Sequence, residues 1–322
     1  MTSAADDLMG FLSASAHGDE AGFRCFGNAA DEYRALRERV GMLWHSEQRA
    51  YRVSGTERAD FLHRLLTADI KGITAGTCST CLLLDNKGRA QVVLELGALT
   101  DELVAVGRAP QVDAGMETLS RYVLRSDVQI APLEGVVLSL VGPKAEELVR
   151  GARLAALEQP PMVFRSARGC LLVADAPVAV WERMTAAGAV PVGRDAAERL
   201  RVEARQARSG NEITGTEFPQ ELRLEAAVDF DKGCYLGQET VARIHYRGQV
   251  NRLLCALRCD GGLQVGDTLR AGGEDVGEVT STINVAGSEA VAMGFVAREQ
   301  SDVGTTLTTS ANARVTVVEA AP

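Results

Sequence analysis

The residues best suited to chemistry lie in one short segment, DFDKGCYLGQE at residues 229–239. Cys234 stands two residues after Lys232 and between two glycines. Glycine permits positive φ and a close approach of the backbone to a ligand, so we expect the thiol on an exposed turn. A neighbouring ammonium favours the thiolate, which would make Cys234 nucleophilic, redox-active or metal-binding. The alternative is a half-buried structural cysteine at a domain junction.

A run of cationic side chains follows in TVARIHYRGQVNR. Arg243, His245 and Arg247 fall at positions i, i+2 and i+4, which in a strand would present all three on one face. Arg252 comes shortly afterwards. In a chain of net charge −9, this cationic ridge suits carboxylate or phosphate groups. The alternative is an ordinary solvated strand face.

The sequence has no P-loop, no H-E-x-x-H and no G-x-S-x-G motif. Its four histidines are widely spaced, which argues against a centre built from several histidines. The close cysteine pairs, Cys78 with Cys81 and Cys255 with Cys259, lie in stretches typical of strands and lack the paired spacing of a structural zinc site. We therefore expect no metal site and interpret these thiols as packing residues.

Composition sets the class of protein. The chain has 322 residues, 46% of them hydrophobic and 24% charged. This composition excludes intrinsic disorder, and no apolar run is long enough to span a membrane. The acidic balance argues against a protein that coats nucleic acid. Seven cysteines and an N-terminus without a basic signal region predict a cytoplasmic protein with no disulfide framework, whose residues 1–20 form a flexible leader.

The chain contains an internal repeat. A helix is predicted over residues 31–43, and a strand at 50–53 leads through Gly55 into an amphipathic helix. A strand at 136–141 leads through Gly142 into another helix, 87 residues later. This repetition predicts two related α+β halves.

Two further patterns complete the predicted fold. Asn86-Lys87-Gly88 marks the turn of a hairpin, and beyond residue 250 short strands alternate with glycine-rich turns, which indicates a small β-barrel. The fold class is therefore α+β, with two related α+β domains, ferredoxin-like, and a C-terminal barrel. We place the first α+β domain, which carries the KGCYLGQE loop, at residues 21–48 with 131–248, the second at 49–130, and the barrel at 249–322.

The motif KGCYLGQE, with the following VARIHYRG, resembles the signature of the YgfZ-type folate-binding proteins. That family has a GcvT-like fold and is similar to the T-protein, or aminomethyltransferase, of glycine cleavage. The resemblance covers most of the chain, including YRVSGTERADFLHRLLTADI, LRVEARQARSGNEITGTEFPQEL and NRLLCALRC, and leaves only residues 1–20 clearly outside.

The resemblance implies three domains in a ring around a channel for tetrahydrofolate, and a role in maintaining iron–sulfur enzymes, notably radical enzymes that modify tRNA. It makes Cys234 the functional thiol and Lys232 its neighbour. It makes Glu203 the acid that meets the pterin ring, a task that suits a carboxylate because it accepts two N–H bonds. The other residues expected at the folate are Tyr235, Gln238, Glu239, Arg243 and Arg247. We expect the cationic ridge to meet a polyglutamate tail rather than RNA.

The sequence also departs from the T-protein. Where the T-protein carries an aspartate pair, alignment on Asn86 and Gly88 places Gln91, Val92 and Val93, and valine cannot move a proton. We therefore expect a folate-binding accessory protein rather than an enzyme of the T-protein type. Nothing in the sequence suggests an obligate assembly, so we also expect a monomer. Its alternatives are a T-protein-like aminomethyl or methyl transferase and a non-catalytic binding scaffold. Arg205 replaces a glycine common in the family, which predicts a change in local pocket shape.

Overall fold

The computed structural model describes residues 3–14, 16–19, 22–284 and 289–321. Within these ranges the α-helices are α1 (Ala4–Leu12), α2 (Ala29–Glu38), α3 (Arg58–His63), α4 (Gln111–Ser120), α5 (Ala145–Gly151), α6 (Pro177–Ala186), α7 (Arg194–Glu203) and α8 (Gln238–Arg247). The strands of the N-terminal and central parts are β1 (His17–Asp19), β2 (Gly22–Cys25), β3 (Gly41–Trp44), β4 (Gln48–Ser54), β5 (Cys78–Leu84), β6 (Ala90–Ala98), β7 (Leu103–Arg108), β8 (Gln129–Leu133), β9 (Val136–Val141), β10 (Met162–Ser166), β11 (Gly169–Ala174) and β12 (Val190–Pro191). The C-terminal strands are β13 (Arg252–Cys259), β14 (Thr268–Ala271), β15 (Glu274–Ile283), β16 (Ala290–Ala297), β17 (Thr306–Thr309) and β18 (Arg314–Val318).

The chain divides into two compact units. The first unit comprises residues 1–81 and 93–197, and the second comprises residues 82–92 and 198–322. The hairpin of β5 and β6 thus begins and ends in the first unit, while its outer part belongs to the second. The predicted domain boundaries and the ring arrangement remain predictions.

The first unit contains two mixed α+β layers. One sheet has the order β10-β11-β9-β3-β12, and the other, to which the hairpin belongs, has the order β5-β6-β7-β4-β8. The second sheet has the predicted ferredoxin-like order of strands and helices, which is β4-α3-β6-β7-α4-β8, with β5 added at its edge. Phe164 is fully buried in an apolar cluster drawn from both sheets, and a Cβ on Gly97 would lie 2.6 Å from its ring.

The predicted repeat is present in the first unit. β4 leads through Gly55 into α3, and β9 leads through Gly142 into α5. Both glycines have positive φ, +101° and +131°. A Cβ at Gly55 would lie 2.1 Å from the carbonyl oxygen of Asp127, and one at Gly142 would lie 2.3 Å from that of Arg39. Glycine is therefore required at both strand-to-helix turns.

Two predictions for the N-terminal region are wrong. The expected flexible leader contains α1, which begins with a capping box between Ser3 and Asp6 and buries Leu8 and Leu12 completely in the core of the first sheet. Residues 1, 2, 15 and 20 of that stretch lie outside the described ranges. The helix predicted over 31–43 ends earlier, because Leu43 pairs with Ser139 in the ladder between β3 and β9.

The second unit contains the predicted barrel. Six antiparallel strands close in the order β13-β16-β15-β14-β17-β18, and β13 pairs with β18 to complete the ring of hydrogen bonds. Its interior is filled by apolar side chains, among them Leu257, Leu269, Val279 and Leu307, which are almost fully buried. The barrel is therefore a packed support for the elements that carry the candidate site.

Across the described residues, no helix is long and apolar enough to cross a membrane.

Candidate functional site

The KGCYLGQE segment is an ordered loop that leads into α8. At its start, the Asp229 carboxylate accepts hydrogen bonds from the backbone N–H groups of Asp231 and Lys232, both at 2.9 Å. These bonds form an Asx-type turn that ends at Lys232, two residues before Cys234. The Cys234 side chain is exposed. The local hydrogen bonds therefore hold an accessible thiol on a defined turn.

At its other end, the loop is fixed by contact with the tip of the β5–β6 hairpin. Gly237 has φ +78°, and a Cβ there would lie 2.3 Å from the carbonyl oxygen of Asp85. On the hairpin, Gly88 has φ +83°, and its Cβ would lie 3.1 Å from the carbonyl oxygen of Gly237 and 3.1 Å from a methyl of Val241. Glycine is needed at both positions, because a side chain at either one would prevent the close approach of the loop backbone to the hairpin backbone.

The hairpin turn is also held by polar and cation–π contacts. The Asp85 carboxylate accepts from the backbone N–H groups of Lys87 and Arg89, both at 2.8 Å. The Arg89 guanidinium lies 3.6 Å from the centroid of the Phe218 ring and 3.5 Å from the Glu221 carboxylate. These contacts fix the tip in one position relative to the 214–221 stretch.

Glu217 is the centre of that stretch. Its buried carboxylate accepts from the hydroxyl and backbone N–H of Thr214 and from the hydroxyl of Thr216, and it pairs with Arg252 at 3.2 Å. Its backbone carbonyl accepts from the N–H of Ala90 in the hairpin, at 2.8 Å. Burial alone would raise the pKa of Glu217, but the bonds from Thr214 and Thr216 outweigh burial, so its pKa lies below the usual value.

Tyr235, next to Cys234, is buried with only 6% of its surface exposed. Its hydroxyl has no hydrogen-bond partner among the described residues. Burial, reinforced by the negative charge of Asp229, raises the pKa of Tyr235 to about 12. The ammonium of Lys232 lies 5.3 Å from the ring centroid. Adjacent residues thus present an exposed thiol and a buried phenol.

Gln238 and Glu239 form the first turn of α8. The backbone N–H of Gln238 donates to the carbonyl of Tyr235 at 3.3 Å. Glu239 is exposed, and its negative charge lies at the positive end of the helix dipole. Both side chains lie directly beyond the loop that carries Cys234.

The strand predicted over the cationic ridge is wrong, because residues 238–247 form α8. In a helix, Arg243 and Arg247 lie one turn apart on one face, both exposed, while His245 points to another face. The His245 ring stacks on Phe230, with centroids 3.7 Å apart and planes 14° apart. The three side chains therefore do not form one cationic surface.

Arg252 does not extend a ridge either. It lies in β13, where its guanidinium pairs with Glu217 and Glu221, each at 3.2 Å, and lies 4.3 Å from the centroid of the Phe295 ring. Its charge is therefore paired with two carboxylates of the second unit. Arg243 and Arg247 remain as exposed cations of the predicted group.

Glu203 ends α7. Its carboxylate accepts from Nε of Arg199 at 2.9 Å, and its backbone carbonyl accepts from the N–H of Ala321 at 2.8 Å. Arg205, two residues later, has φ +49°. Glycine adopts that left-handed conformation without the strain that arginine has there. Burial lowers the pKa of the Arg205 guanidinium, and the nearby charge of Arg223 lowers it further.

Gln91, Val92 and Val93, the positions at which the sequence predicts no aspartate pair, are part of β6. Val92 is fully buried among the apolar side chains of that strand. Gln91 points its amide at the carbonyls of Arg89 and Gly215, at 3.1 and 3.3 Å. Val92 is therefore a packing residue and Gln91 a hairpin contact.

The two cysteine pairs lie in β5 and β13, and in the described part of the chain no three side chains of His, Cys, Asp or Glu cluster as a metal site. Burial raises the pKa of the Cys78 thiol to about 12 and that of Cys170 to about 11, with contributions from Glu95 and Glu146 respectively.

The residues that hold the hairpin are not among those predicted from the sequence, and they are Arg89, Glu217, Phe218 and Glu221. The signal present in the sequence is the motif T-E-F-P-Q-E-L, in which two glutamates four residues apart flank Phe218 and Pro219. Their partners in the hairpin lie more than 120 residues earlier, and no local pattern connects the two.

Comparison with known proteins gives a consistent result. The chain is 29% identical over 305 residues to an aminomethyltransferase of Rubrobacter xylanophilus, covering 83% of this chain and 79% of that protein. It is 25% identical over 281 residues to a chloroplast protein of Arabidopsis thaliana named as a transferase, covering 80% of this chain and 65% of that protein.

The solved structure of the glycine cleavage system aminomethyltransferase T from Bartonella henselae superposes with a TM-score of 0.83 at 23% identity, over 97% of this chain and 96% of that one. This likeness confirms the GcvT-like fold. The family described as the GCVT N-terminal domain matches residues 9–180, so the match begins inside the stretch predicted to lie outside the resemblance. The chain therefore belongs to the GCVT N-terminal domain family.

Proposed function

We propose that this protein binds tetrahydrofolate and acts as an accessory protein in the assembly or repair of iron–sulfur enzymes, including radical enzymes that modify tRNA. In this proposal Cys234 is the essential thiol. The observation that carries it is the exposed position of Cys234 on a turn whose start is fixed by Asp229 and whose end is fixed by Gly237. A thiol presented in this way suits transfer chemistry better than packing.

The second unit offers polar groups that fit a folate. The buried Tyr235 hydroxyl has no partner among the described residues, and burial of such a group is costly unless a ligand completes its hydrogen bond. The Glu203 carboxylate, half-buried at the end of α7, would accept N–H bonds from the pterin. Tetrahydrofolate, when bound, supplies nitrogens that carry a one-carbon unit. Gln238, Glu239, Arg243 and Arg247 would hold the rest of the ligand, the two arginines at its carboxylates.

Lys232 has a supporting part in this proposal. Its ammonium lies over the ring of Tyr235, the residue that follows Cys234. Lys232 is therefore proposed as the cationic neighbour of Cys234 in the loop, held against the Tyr235 ring.

The alternative of aminomethyl transfer, suggested by the names of the bacterial relatives, is less well supported. Val92 is fully buried and Val93 is equally unable to orient an amine. A non-catalytic scaffold is the second alternative, and it predicts no role for the Cys234 thiol. YgfZ-type membership is part of the proposal.

Folate binding is tested by titrating tetrahydrofolate into the full chain under anaerobic conditions, with calorimetry as the readout. We expect saturable binding that Glu203→Gln weakens by about ten-fold, since one charge-assisted bond is worth about 1.5 kcal/mol. Glu225→Gln, a change of another acidic residue in the same unit, is the matched control. Absence of saturable binding would remove the folate part of the proposal.

The role of the thiol is tested separately in cells whose own copy of the protein has been deleted. Cys234→Ala is expected to lower the level of thiolated tRNA nucleosides, measured by mass spectrometry, while leaving tetrahydrofolate affinity unchanged. Cys25→Ala is the control for loss of a partly accessible thiol. An unchanged level of modification with Cys234→Ala would contradict the accessory role, and turnover of an aminomethyl donor by the purified protein would favour the transferase.

A further inference from the structure

The first unit contains a cavity of about 570 Å³ that is unrelated to the Cys234 loop. It lies between α1, the turn before α2, α6 and β12. Its volume is within the range of pockets that hold small molecules. The aromatic part of its lining consists of Phe11, Phe26 and Trp181.

The aromatic wall is held in place. The Phe26 and Trp181 rings lie 5.6 Å apart between centroids, and Trp181 is almost fully buried. The Glu32 carboxylate accepts hydrogen bonds from the backbone N–H groups of Phe26, Gly27 and Gly193 at 2.7 to 2.9 Å. Three bonds to one carboxylate fix the turn that carries Phe26, so the ring has a defined position before any ligand arrives.

The charged groups of the lining share one sign. Every charged residue among the described lining residues is acidic, and these are Asp31, Glu32 and Glu182. Glu32 is occupied by the backbone, while Asp31 and Glu182 are exposed at the mouth. Asp31 also pairs with Arg34 at 3.0 Å, but in an exposed ion pair that contributes little.

Aromatic faces attract a cation through their quadrupole, with tryptophan the strongest, and carboxylates at the entrance add a Coulombic attraction. We propose that this cavity binds a small organic cation, an alkylammonium or quaternary ammonium attached to an apolar body. The apolar body would lie against Phe26 and Trp181, and the cationic head would lie at the mouth, between the exposed Phe11 ring and the carboxylates of Asp31 and Glu182.

The test uses the full chain and benzyltrimethylammonium as the probe, with neutral benzyl alcohol and anionic phenylacetate for comparison. Trp181 and Trp44 are the two tryptophans of the chain, so Trp44→Phe makes Trp181 the fluorescence reporter. We expect saturable quenching by the cation, with an affinity about ten-fold above that of benzyl alcohol, and no response to phenylacetate. Equal affinities for the cation and the alcohol, or no saturation by the cation, would overturn the proposal.

Variants of the mouth and wall separate charge from packing. Asp31→Asn with Glu182→Gln should weaken cation binding by about three- to ten-fold and leave benzyl alcohol unchanged. Phe11→Ala, on the exposed side of α1, should weaken both probes, whereas Met9→Ala, similarly exposed on the same helix but outside the cavity, should weaken neither. Equal effects of Phe11→Ala and Met9→Ala would show that the cavity is not the binding site.

Discussion

Replacing Tyr235 with phenylalanine should make the free protein more stable. The Tyr235 side chain is 6% exposed, and its hydroxyl has no partner among the described residues. Burying a polar group without a hydrogen bond costs about 1–3 kcal/mol. Phenylalanine keeps the ring, including the contact with the Lys232 ammonium, and removes that cost. We therefore expect the free energy of unfolding to rise by about 1 kcal/mol.

Tyr51 provides the matched control, because the same substitution should have the opposite effect there. The Tyr51 hydroxyl donates to the Asp113 carboxylate at 2.7 Å. Tyr51→Phe removes this bond to a charged group, which is worth about 1.5 kcal/mol. Asp113 keeps its ion pair with Arg49 and is not left without a partner. The two variants thus differ in whether the hydroxyl that is lost had a hydrogen-bond partner.

Urea unfolding followed by circular dichroism measures both changes. For a chain of this length, 1 kcal/mol corresponds to a shift in Tm of about 1–2 °C, so denaturant midpoints are the more sensitive readout. Titration gives a second test. The pKa of Tyr235 is raised from 10.0 to about 12 in the folded protein. Because the phenol ionises more readily in the unfolded chain, the free energy of unfolding is unaffected by this group below pH 10 and falls as the pH rises from 10 to about 12. Tyr235→Phe should lack this alkaline loss.

The same hydroxyl is proposed to bond to folate, so stability and binding should move in opposite directions. We expect Tyr235→Phe to weaken tetrahydrofolate binding by about ten-fold while stabilising the free protein. If Tyr235→Phe instead destabilised the free protein as much as Tyr51→Phe does, the hydroxyl would already be hydrogen-bonded. The Tyr235 hydroxyl would then not be free to bond to a ligand.

Three further predictions concern the elements around the loop. Gly237→Ala should destabilise the protein by about 2 kcal/mol or more, measured by urea unfolding, because its φ is positive and its Cβ would meet the Asp85 carbonyl, whereas Gly233→Ala, with open space around its Cβ, should be tolerated. Arg205→Gly should raise the free energy of unfolding by about 0.5 kcal/mol, because relief of the left-handed strain exceeds the added chain entropy; a loss of stability would contradict this. Glu217→Gln should cost about 2 kcal/mol at pH 7. Since the pKa of Glu217 is lowered on folding, its contribution is present above the unfolded pKa and is lost as the pH falls through the folded value, so unfolding curves at acid pH should converge for wild type and variant.

The architecture can be predicted from the sequence at turns where a local residue pattern contains a glycine that the backbone sterically requires. The strand-to-helix turns at Gly55 and Gly142 follow from glycine at the end of an alternating strand, and in the structure a Cβ at either position would lie within 2.3 Å of a backbone carbonyl oxygen. The hairpin at Asn86-Lys87-Gly88 and the glycine-rich barrel are set by turn chemistry in the same way. Such features depend on neighbours in sequence, and a single chain is sufficient to predict them.

The alternating cations of residues 243–247 predict a strand, but the ends of the segment indicate the helix α8 that the structure contains. Gly237 and Gly248 bracket ten residues, a length typical of a helix, and Val241 and Ile244 are spaced three apart for one face. The prediction of a flexible leader over residues 1–20 is wrong for a similar reason. Leu8 and Leu12, four residues apart behind a capping serine, indicated α1, but the small polar residues around them suggested disorder.

The site depends on contacts that sequence spacing does not determine. Asp85 meets Gly237 and Arg89 meets Phe218 only because the hairpin and the 214–237 stretch are folded onto one another. These partners are separated by more than 120 positions in the chain. The identity of Cys234 as an accessible thiol could be predicted from its glycine neighbours, but the contacts that fix its loop could not.

The two glycines of the KGCYLGQE motif indicate how the site separates its tasks. Gly233 has open space around it and positions nothing, which leaves Cys234 accessible. Gly237 is pressed against the hairpin, so the hairpin serves to fix the end of the loop. On the same hairpin, Val92 is fully buried as a packing residue. The Asp85 carboxylate accepts from the backbone of its own turn, so in the proposed function the hairpin supports the loop and Cys234 is the group proposed to react.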